Sequence, residues 1–145
     1  MVKTLISEMG GSICVSSAEE TYVTAIADGT AKAGHLVGLI IATGVVAGCN
    51  TTNVDEFVGI LCERYDTDID TAPTSGKTVR VVLPKSGHIY RMFCADLNAT
   101  GIGLCVGFGA TAGVLALVAA IENTHIARSW TYTDGDSVGD FIWGE

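Results

Sequence analysis

Alternate acids in one polar loop are the first residues in the sequence whose spacing suggests chemistry. Asp66, Asp68 and Asp70 resemble the opening of a calcium-binding loop. Such a loop needs a glycine next, where this chain has Thr71, and a bidentate glutamate later, where it has Lys77. We therefore interpret the acids as a solvated loop, and leave open whether they bind a cation.

The histidines could supply a metal site if the fold brought them together. His35, His88 and His125 each begin a predicted strand, and three imidazoles suit a zinc ion. Because isolated histidines at strand ends are far commoner than such metal sites, they are the preferred interpretation. We predict no metal site.

The cysteines are odd in number, so they cannot all pair within one chain. No two of them have the spacing of a zinc knuckle or a redox dithiol. Several lie inside apolar stretches, where a thiol behaves as a small hydrophobic side chain. We predict buried, reduced thiols, as expected for intracellular assembly. The five cysteines are Cys14, Cys49, Cys62, Cys94 and Cys105.

Motifs for catalysis or cofactor binding are weak. A nucleophile would need a neighbouring histidine as its base, and the chain lacks a motif such as G-x-S-x-G. Gly101, Gly103 and Gly107 imitate a dinucleotide fingerprint, but too little chain follows them for a doubly wound sheet. We predict no catalytic residues, no cofactor and no enzymatic activity.

The composition limits the class of protein further. The formal charge is −8, from 8 basic and 16 acidic residues, which argues against binding to nucleic acid. Hydrophobic residues make up 48% and charged residues only 17%, so the chain is too apolar for disorder. A chain of this kind enters a membrane or buries much of its surface against partners.

Residues 101–121 are the segment that could cross a membrane, because they carry no charge and are long enough. Five glycines would weaken a helix there, and neither flank has a cluster of Lys or Arg. The preferred prediction is two strands, 103–108 and 114–119, joined by a turn. A single-pass membrane protein spanning 101–121 is an alternative, although we favour no membrane contact.

Short apolar or alternating segments recur about every ten residues, separated by turn signals. They predict an all-β fold, a compact antiparallel β-barrel or sandwich formed by residues 18–145 as a single domain. Residues 1–17 are predicted to be an extended N-terminal arm. After strand 77–83 the chain is expected to turn at Ser86 and Gly87 and return along 88–95. The other predicted strands are 21–27, 35–42 with 45–47, 56–65, 125–133 and 138–143.

Four segments carry a resemblance to a known family: HLVGLIIATGVV at 35–46, FVGILCERYDTD at 57–68, GKTVRVVLPKSGHIY at 76–90 and TYTDGDSVGDFIW at 131–143. In these segments the chain resembles the small β-barrel head decoration (capsid cement) proteins of bacteriophages and related viruses. The resemblance implies a structural virion protein on the capsid surface, assembled in the host cytoplasm. It also implies a homotrimer, or another symmetric homo-oligomer, that clamps neighbouring subunits of the major capsid protein.

Partner binding is expected from the arm and from the end of the chain. An extended arm can add a strand to a sheet edge of a capsid subunit, and repetition around a shell strengthens attachment. The candidate residues are Val2, Leu5, Ile6 and Ile13 in the arm and Trp143 near the C-terminus. For Trp143 two alternatives are open, packing in the core, which is preferred, and contact with a partner. Another β-rich virion component, a tail-tube or minor capsid protein, is the alternative function.

Overall fold

Ten β-strands and one short 3-10 helix form the regular structure in the described part of this computed structural model. It describes residues 13–16, 19–62, 71–95, 103–118, 125–133 and 138–144. The predicted all-β fold is confirmed. The strands are β1 (Thr21–Ala27), β2 (Leu36–Ile40), β3 (Val45–Gly48), β4 (Phe57–Leu61), β5 (Thr78–Leu83), β6 (Ile89–Phe93), β7 (Cys105–Phe108), β8 (Leu115–Leu117), β9 (His125–Thr133) and β10 (Val138–Trp143), and the 3-10 helix is Val54–Glu56.

The first five strands close into a barrel in the order β1-β3-β2-β4-β5. Strand β1 pairs with β5 along its length, from Thr21 opposite Leu83 to Ile26 opposite Thr78. Of the described strand pairs, only β1 and β3 are parallel, with Ile26 opposite Val45. The barrel therefore agrees with the prediction except that one of its neighbouring strand pairs is not antiparallel.

The last five strands form a second sheet in the order β6-β10-β9-β7-β8, with antiparallel neighbours throughout. Residues 13–16 run beside the outer edge of β6, where Cys14 lies opposite Tyr90. The Arg91 N–H donates to the Ile13 carbonyl at 2.7 Å, and the Val15 N–H donates to the Ile89 carbonyl at 2.9 Å. This short segment covers part of a sheet edge that would otherwise present unpaired backbone groups.

The connection between β5 and β6 does not form the hairpin that the sequence predicts. Strand β6 pairs with β10, so the chain leaves the barrel after β5 and enters the second sheet. Pro84 has no N–H with which to extend the β5 ladder. The Lys85 N–H donates to the Tyr90 hydroxyl at 3.0 Å, and the Gly87 N–H donates to the Trp143 carbonyl at 2.9 Å. These bonds direct the predicted turn toward the second sheet.

Buried side chains form two separate cores. The barrel core lies inside the barrel, and the interlayer core lies between the barrel and the second sheet. Ala27, Ala31, Val37, Val46, Leu61, Val79 and Val81 make up the barrel core. Ile13, Ala33, Leu36, Ile60, Val82, Tyr90, Met92, Cys94, Val106, Leu115, Ala127 and Phe141 make up the interlayer core.

Consecutive residues of the barrel strands contribute to different cores. On β4, Ile60 belongs to the interlayer core and Leu61 to the barrel core. On β5, Val82 belongs to the interlayer core and Val81 to the barrel core. A strand that is buried on both faces needs apolar residues at consecutive positions, which explains why this part of the sequence is apolar without alternation.

The predicted N-terminal arm is only partly described. Ile13 is 2% exposed and belongs to the interlayer core, so residues 13–16 are integrated into the fold of their own chain. Residues 1–12, with Val2, Leu5 and Ile6, lie outside the described residues. The boundary of the arm at residue 17 also lies outside them and stays a prediction.

The segment that could have crossed a membrane contains two paired strands. Val106 of β7 lies opposite Leu117 of β8, and Gly113 between them has a φ of 81°. The predicted pair of strands is confirmed, and the alternative of a membrane-spanning helix over 101–121 is wrong, because β7 and β8 are extended. No helix in the described part of the chain is long and apolar enough to cross a bilayer.

Replacement of Gly59 by alanine tests the close contact between β4 and β5. A Cβ at this position would lie 2.1 Å from the Val82 carbonyl oxygen, so the two strands would have to separate. We expect Gly59→Ala to lower the free energy of unfolding by about 3 kcal/mol in urea denaturation. Gly76→Ala is the control: its φ is 87° with no atom nearby, so it loses only about 1 kcal/mol through backbone strain. Equal losses in the two variants would contradict this packing.

Candidate functional site

His35 is held in a buried position before β2, and the structure does not group it with His88 and His125 as metal ligands. Its Nδ1 accepts a hydrogen bond from the Lys32 N–H at 3.2 Å, and its ring meets the edge of Phe93 at 4.9 Å. A Cβ on Gly113 would lie 2.7 Å from the imidazole, so the β7–β8 turn packs directly on it. Burial, together with the positive charge of Lys32, lowers the pKa of His35 to about 4. His35 is therefore a neutral structural side chain.

His88 lies in a buried polar cluster with Glu20 and Tyr90. The Glu20 side chain is 3% exposed, and its Oε1 lies 2.6 Å from His88 Nδ1. Its Oε2 accepts a hydrogen bond from the Tyr90 hydroxyl at 2.6 Å. Burial and this hydrogen bond raise the pKa of Tyr90 above its usual range. The cluster joins the residue before β1 to β6, and therefore joins the barrel to the second sheet.

The structure does not assemble the histidines into a metal site. His125 begins β9, opposite Gly107 of β7, in a different part of the second sheet from His88. Among the described residues, no three His, Cys, Asp or Glu side chains converge as metal ligands. Asp66, Asp68 and Asp70 lie outside the described residues, so cation binding there stays open.

All five cysteines are present as thiols. Cys49, Cys94 and Cys105 are buried, in agreement with the prediction, whereas Cys14 and Cys62 are half-buried. Burial raises the pKa of Cys49 to about 11, with a further contribution from the negative charge of Glu56. Such a thiol is a poor nucleophile because little of it is ionised at neutral pH.

A buried ion pair joins β6 and β10 across the second sheet. Arg91 Nε lies 2.6 Å from Asp140 Oδ1, and Arg91 Nη2 lies 3.1 Å from Asp140 Oδ2. The two residues are direct cross-strand neighbours, so the fork geometry follows from the strand register. Removal of one partner would leave an uncompensated buried charge, so we interpret the pair as structural.

The two predicted partner-binding residues that the structure describes pack within their own chain. Trp143 stacks on Phe57 with ring centroids 5.7 Å apart, and Phe57 meets the edge of Phe108 at 5.3 Å. Trp143 is partly buried against the interlayer core, which agrees with the core-packing alternative. Ile13 is fully within that core. Neither side chain is presented as an open contact surface.

Among the described residues, the most exposed large apolar side chain is instead at the end of the β2–β3 hairpin. Ile41 is 88% exposed, and Leu39 on the same strand is 39% exposed. The Gly44 N–H donates to the Ile40 carbonyl at 2.8 Å, and Gly44 has a φ of 71°, which closes the turn. We refer to residues 39–44 as the hairpin tip.

The hairpin tip lies in a stretch without charge. Residues 34–54 contain no Asp, Glu, Lys or Arg. Single exposed apolar residues are common, but an almost fully exposed isoleucine on a closed, uncharged turn is typical of a contact surface. The sequence predicts strands on both sides of this turn but no role for the tip. The available signal was the pair of adjacent isoleucines directly before the turn.

No protein-family model matches the chain, and no curated protein has a significantly similar sequence.

The buried neutral His35 predicts a specific dependence of stability on pH. Its folded pKa of about 4 lies below the value of 6.5 for an accessible histidine. Between these values the unfolded chain binds a proton that the folded chain does not, so the free energy of unfolding falls as the pH is lowered from 6.5 to 4. We expect a loss of up to about 3 kcal/mol in urea denaturation.

His35→Gln removes the titrating group and should reduce this pH dependence, whatever its effect on stability at pH 7. An unchanged slope between pH 6.5 and 4 in the variant would show that another group causes the loss.

Proposed function

We propose that the protein is a non-enzymatic structural protein of a virus particle, which binds the outer surface of an assembled capsid and stabilises contacts between major capsid protein subunits. The observation that carries the proposal is the uncharged hairpin tip with Ile41 almost fully exposed. A folded domain gains nothing from this exposure by itself, whereas a partner surface that buries the tip gains free energy.

The free energy gained by burial of one hairpin tip is modest, which suits an interface that is repeated many times. Burial of one isoleucine side chain contributes about 1.5–3 kcal/mol, which alone gives weak binding. A symmetric homo-oligomer, such as a trimer, presents the same tip several times to a shell whose subunits repeat. Simultaneous contacts then convert weak single interactions into tight attachment.

The sequence supports the same interpretation. The segments that resemble capsid decoration proteins include the hairpin β2–β3 and the strands β4, β5 and β10. The net charge of −8 keeps a particle coat soluble and disfavours contact with packaged nucleic acid. The altered pKa values of His35, Tyr90 and Cys49 follow from burial and from neighbouring side chains of the fold, so these three groups indicate no catalysis.

Attachment through the hairpin tip is tested by Ile41→Glu. The added charge would have to be desolvated at the interface, so we expect binding to capsid shells to weaken at least about tenfold. The measurement is co-sedimentation with empty shells assembled from the major capsid protein of the same genome. Thr74→Glu is the matched control, because it adds the same charge at another exposed position.

Loss of binding in Ile41→Glu with wild-type circular dichroism and wild-type binding in Thr74→Glu supports the proposal. Wild-type binding by Ile41→Glu would show that the hairpin tip does not contribute to attachment. Failure of the unmodified protein to co-sediment with the shells would contradict the function itself.

To test the predicted contribution of the arm to binding, a truncation must leave the interlayer core intact. Because Ile13 is buried, deletion of residues 1–17 would damage the interlayer core as well as the arm. Deletion of residues 1–12 removes Val2, Leu5 and Ile6 and keeps Ile13. We expect this truncated protein to unfold at the wild-type urea concentration and to co-sediment less with the shells. Unchanged co-sedimentation would exclude the arm from the interface.

A further inference from the structure

Two cysteines that are distant in the sequence meet at the margin of the interlayer core. Cys14 lies in the segment beside β6, and Cys62 directly follows β4, where its N–H donates to the Arg80 carbonyl at 3.0 Å. Both side chains pack against the interlayer core. Each thiol alters the pKa of the other, and the Cys62 thiol also donates a hydrogen bond to the Ile60 carbonyl at 3.7 Å.

The strand registers explain this meeting. Val82 of β5 belongs to the interlayer core, and Tyr22 lies opposite it on β1. Arg80 lies two residues before Val82 on β5, so its side chain is on the same face of the barrel as that of Val82. Cys62, just after the end of β4, lies beside Arg80 on the neighbouring strand. This face is thus apolar at its centre and polar at its margin. Cys14 reaches the margin from the second sheet.

The two thiols differ in reactivity because their surroundings differ. The Cys62 thiol donates a hydrogen bond that lowers the pKa of Cys14 to about 7. Tyr22 and Arg80 act in the same direction, whereas burial and the negative charge of Glu20 act against it. The Tyr22 hydroxyl lies 3.5 Å from Cys14 Sγ, and the Arg80 guanidinium lies 5.2 Å from the Tyr22 ring centroid. The hydrogen bond to Cys14 and burial raise the pKa of Cys62 far above its usual range.

We propose that Cys14 and Cys62 form a redox-active pair that reacts with low-molecular-weight disulfides of the glutathione type. Cys14 is the attacking thiol, and Cys62 is the thiol that resolves the mixed disulfide. Tyr22 and Arg80 are exposed beside Cys14 and line the approach of the reagent. The positive charge of Arg80 favours an anionic reagent such as glutathione disulfide. The proposal does not depend on capsid binding.

The reaction consists of two thiol–disulfide exchanges. The Cys14 thiolate attacks one sulfur of glutathione disulfide, forms a mixed disulfide and releases one glutathione thiolate. In the mixed disulfide, Cys14 is no longer a thiolate that accepts the hydrogen bond of Cys62, which is the largest cause of the raised pKa of Cys62. Cys62 then loses its proton to solvent, attacks the sulfur of Cys14 and releases the second glutathione. Two protein thiols are oxidised to one disulfide, and one glutathione disulfide is reduced to two glutathione molecules.

The product links the two layers of the fold. A bond between Cys14 and Cys62 ties the segment beside β6 to the end of β4, across the margin of the interlayer core. Cross-links between residues far apart in sequence restrict the unfolded chain most. The oxidised protein should therefore unfold at a higher urea concentration than the reduced protein.

The test treats the full-length reduced protein with glutathione disulfide at pH 7, blocks the remaining thiols and maps the peptides by mass spectrometry. We expect a Cys14–Cys62 cross-linked peptide and a product lighter than the reduced protein by two hydrogens. Cys62→Ser should stop at a glutathione adduct on Cys14, and Cys14→Ser should give neither product. Cys49→Ser is the matched control and should form the cross-link, because Cys49 is buried elsewhere.

The variant Tyr22→Phe tests whether Cys14 reacts because its pKa is lowered or only because it is accessible to the reagent. The variant keeps the ring beneath Arg80 and removes only the hydroxyl that contacts Cys14. We expect the reaction of Cys14 at pH 7 to slow by about three- to tenfold. The pH at which its alkylation rate is half-maximal should rise from about 7 in the wild-type protein.

Several results would overturn the proposal. These are a stable glutathione adduct on Cys14 in the wild-type protein, cross-links that involve other cysteines at equal rates, and an oxidised protein that unfolds at the urea concentration of the reduced one. Alkylation of Cys14 with the pH dependence of an ordinary thiol would also overturn it.

Discussion

The contact between one face of the barrel and the second sheet is the constraint on which the rest of the structure depends. Leu36, Ile60 and Val82 project from three neighbouring barrel strands into the same layer. Tyr90 and Phe141 cover them from the second sheet. Because this layer is buried on both sides, the chain needs few charged residues and many consecutive apolar ones. The low charge that first suggested a membrane or a partner is therefore explained in part by an internal interface.

The strands could be predicted from the sequence because alternation and turn residues are local signals. Thr78–Leu83 alternates at its start, and the paired strands on either side of Gly113 are separated by a residue with positive φ. The pairing of strands could not be predicted in the same way. Ser86 and Gly87 mark a turn, but its direction depends on hydrogen bonds to residues near the C-terminus. A local pattern does not specify such distant partners.

The candidate sites, like the strand pairs, depend on contacts between residues that are distant in the sequence. Cys14 and Cys62 have no motif spacing. The registers of β1, β4 and β5 bring Cys62 beside Arg80, whose guanidinium lies over the ring of Tyr22. The Tyr22 hydroxyl in turn contacts Cys14. Trp143 and Ile13 are apolar residues near the chain ends, which is typical of partner contacts. The structure places both against the interlayer core, because that core recruits residues from the beginning and the end of the chain. Ile41 is recognisable only once the structure shows that it lies exposed at the end of the hairpin and not in either core.

The proposed function unites the exposed hairpin tip, the acidic charge and the resemblance to capsid decoration proteins. Its central claim is tested most directly by cryo-electron microscopy of empty shells mixed with the purified protein. The account predicts added density on the outer surface of the shell, arranged with its symmetry, in which residues 39–44 of each copy touch a capsid subunit. Shells without added density would contradict the account, and so would density in which the hairpin tip faces solvent.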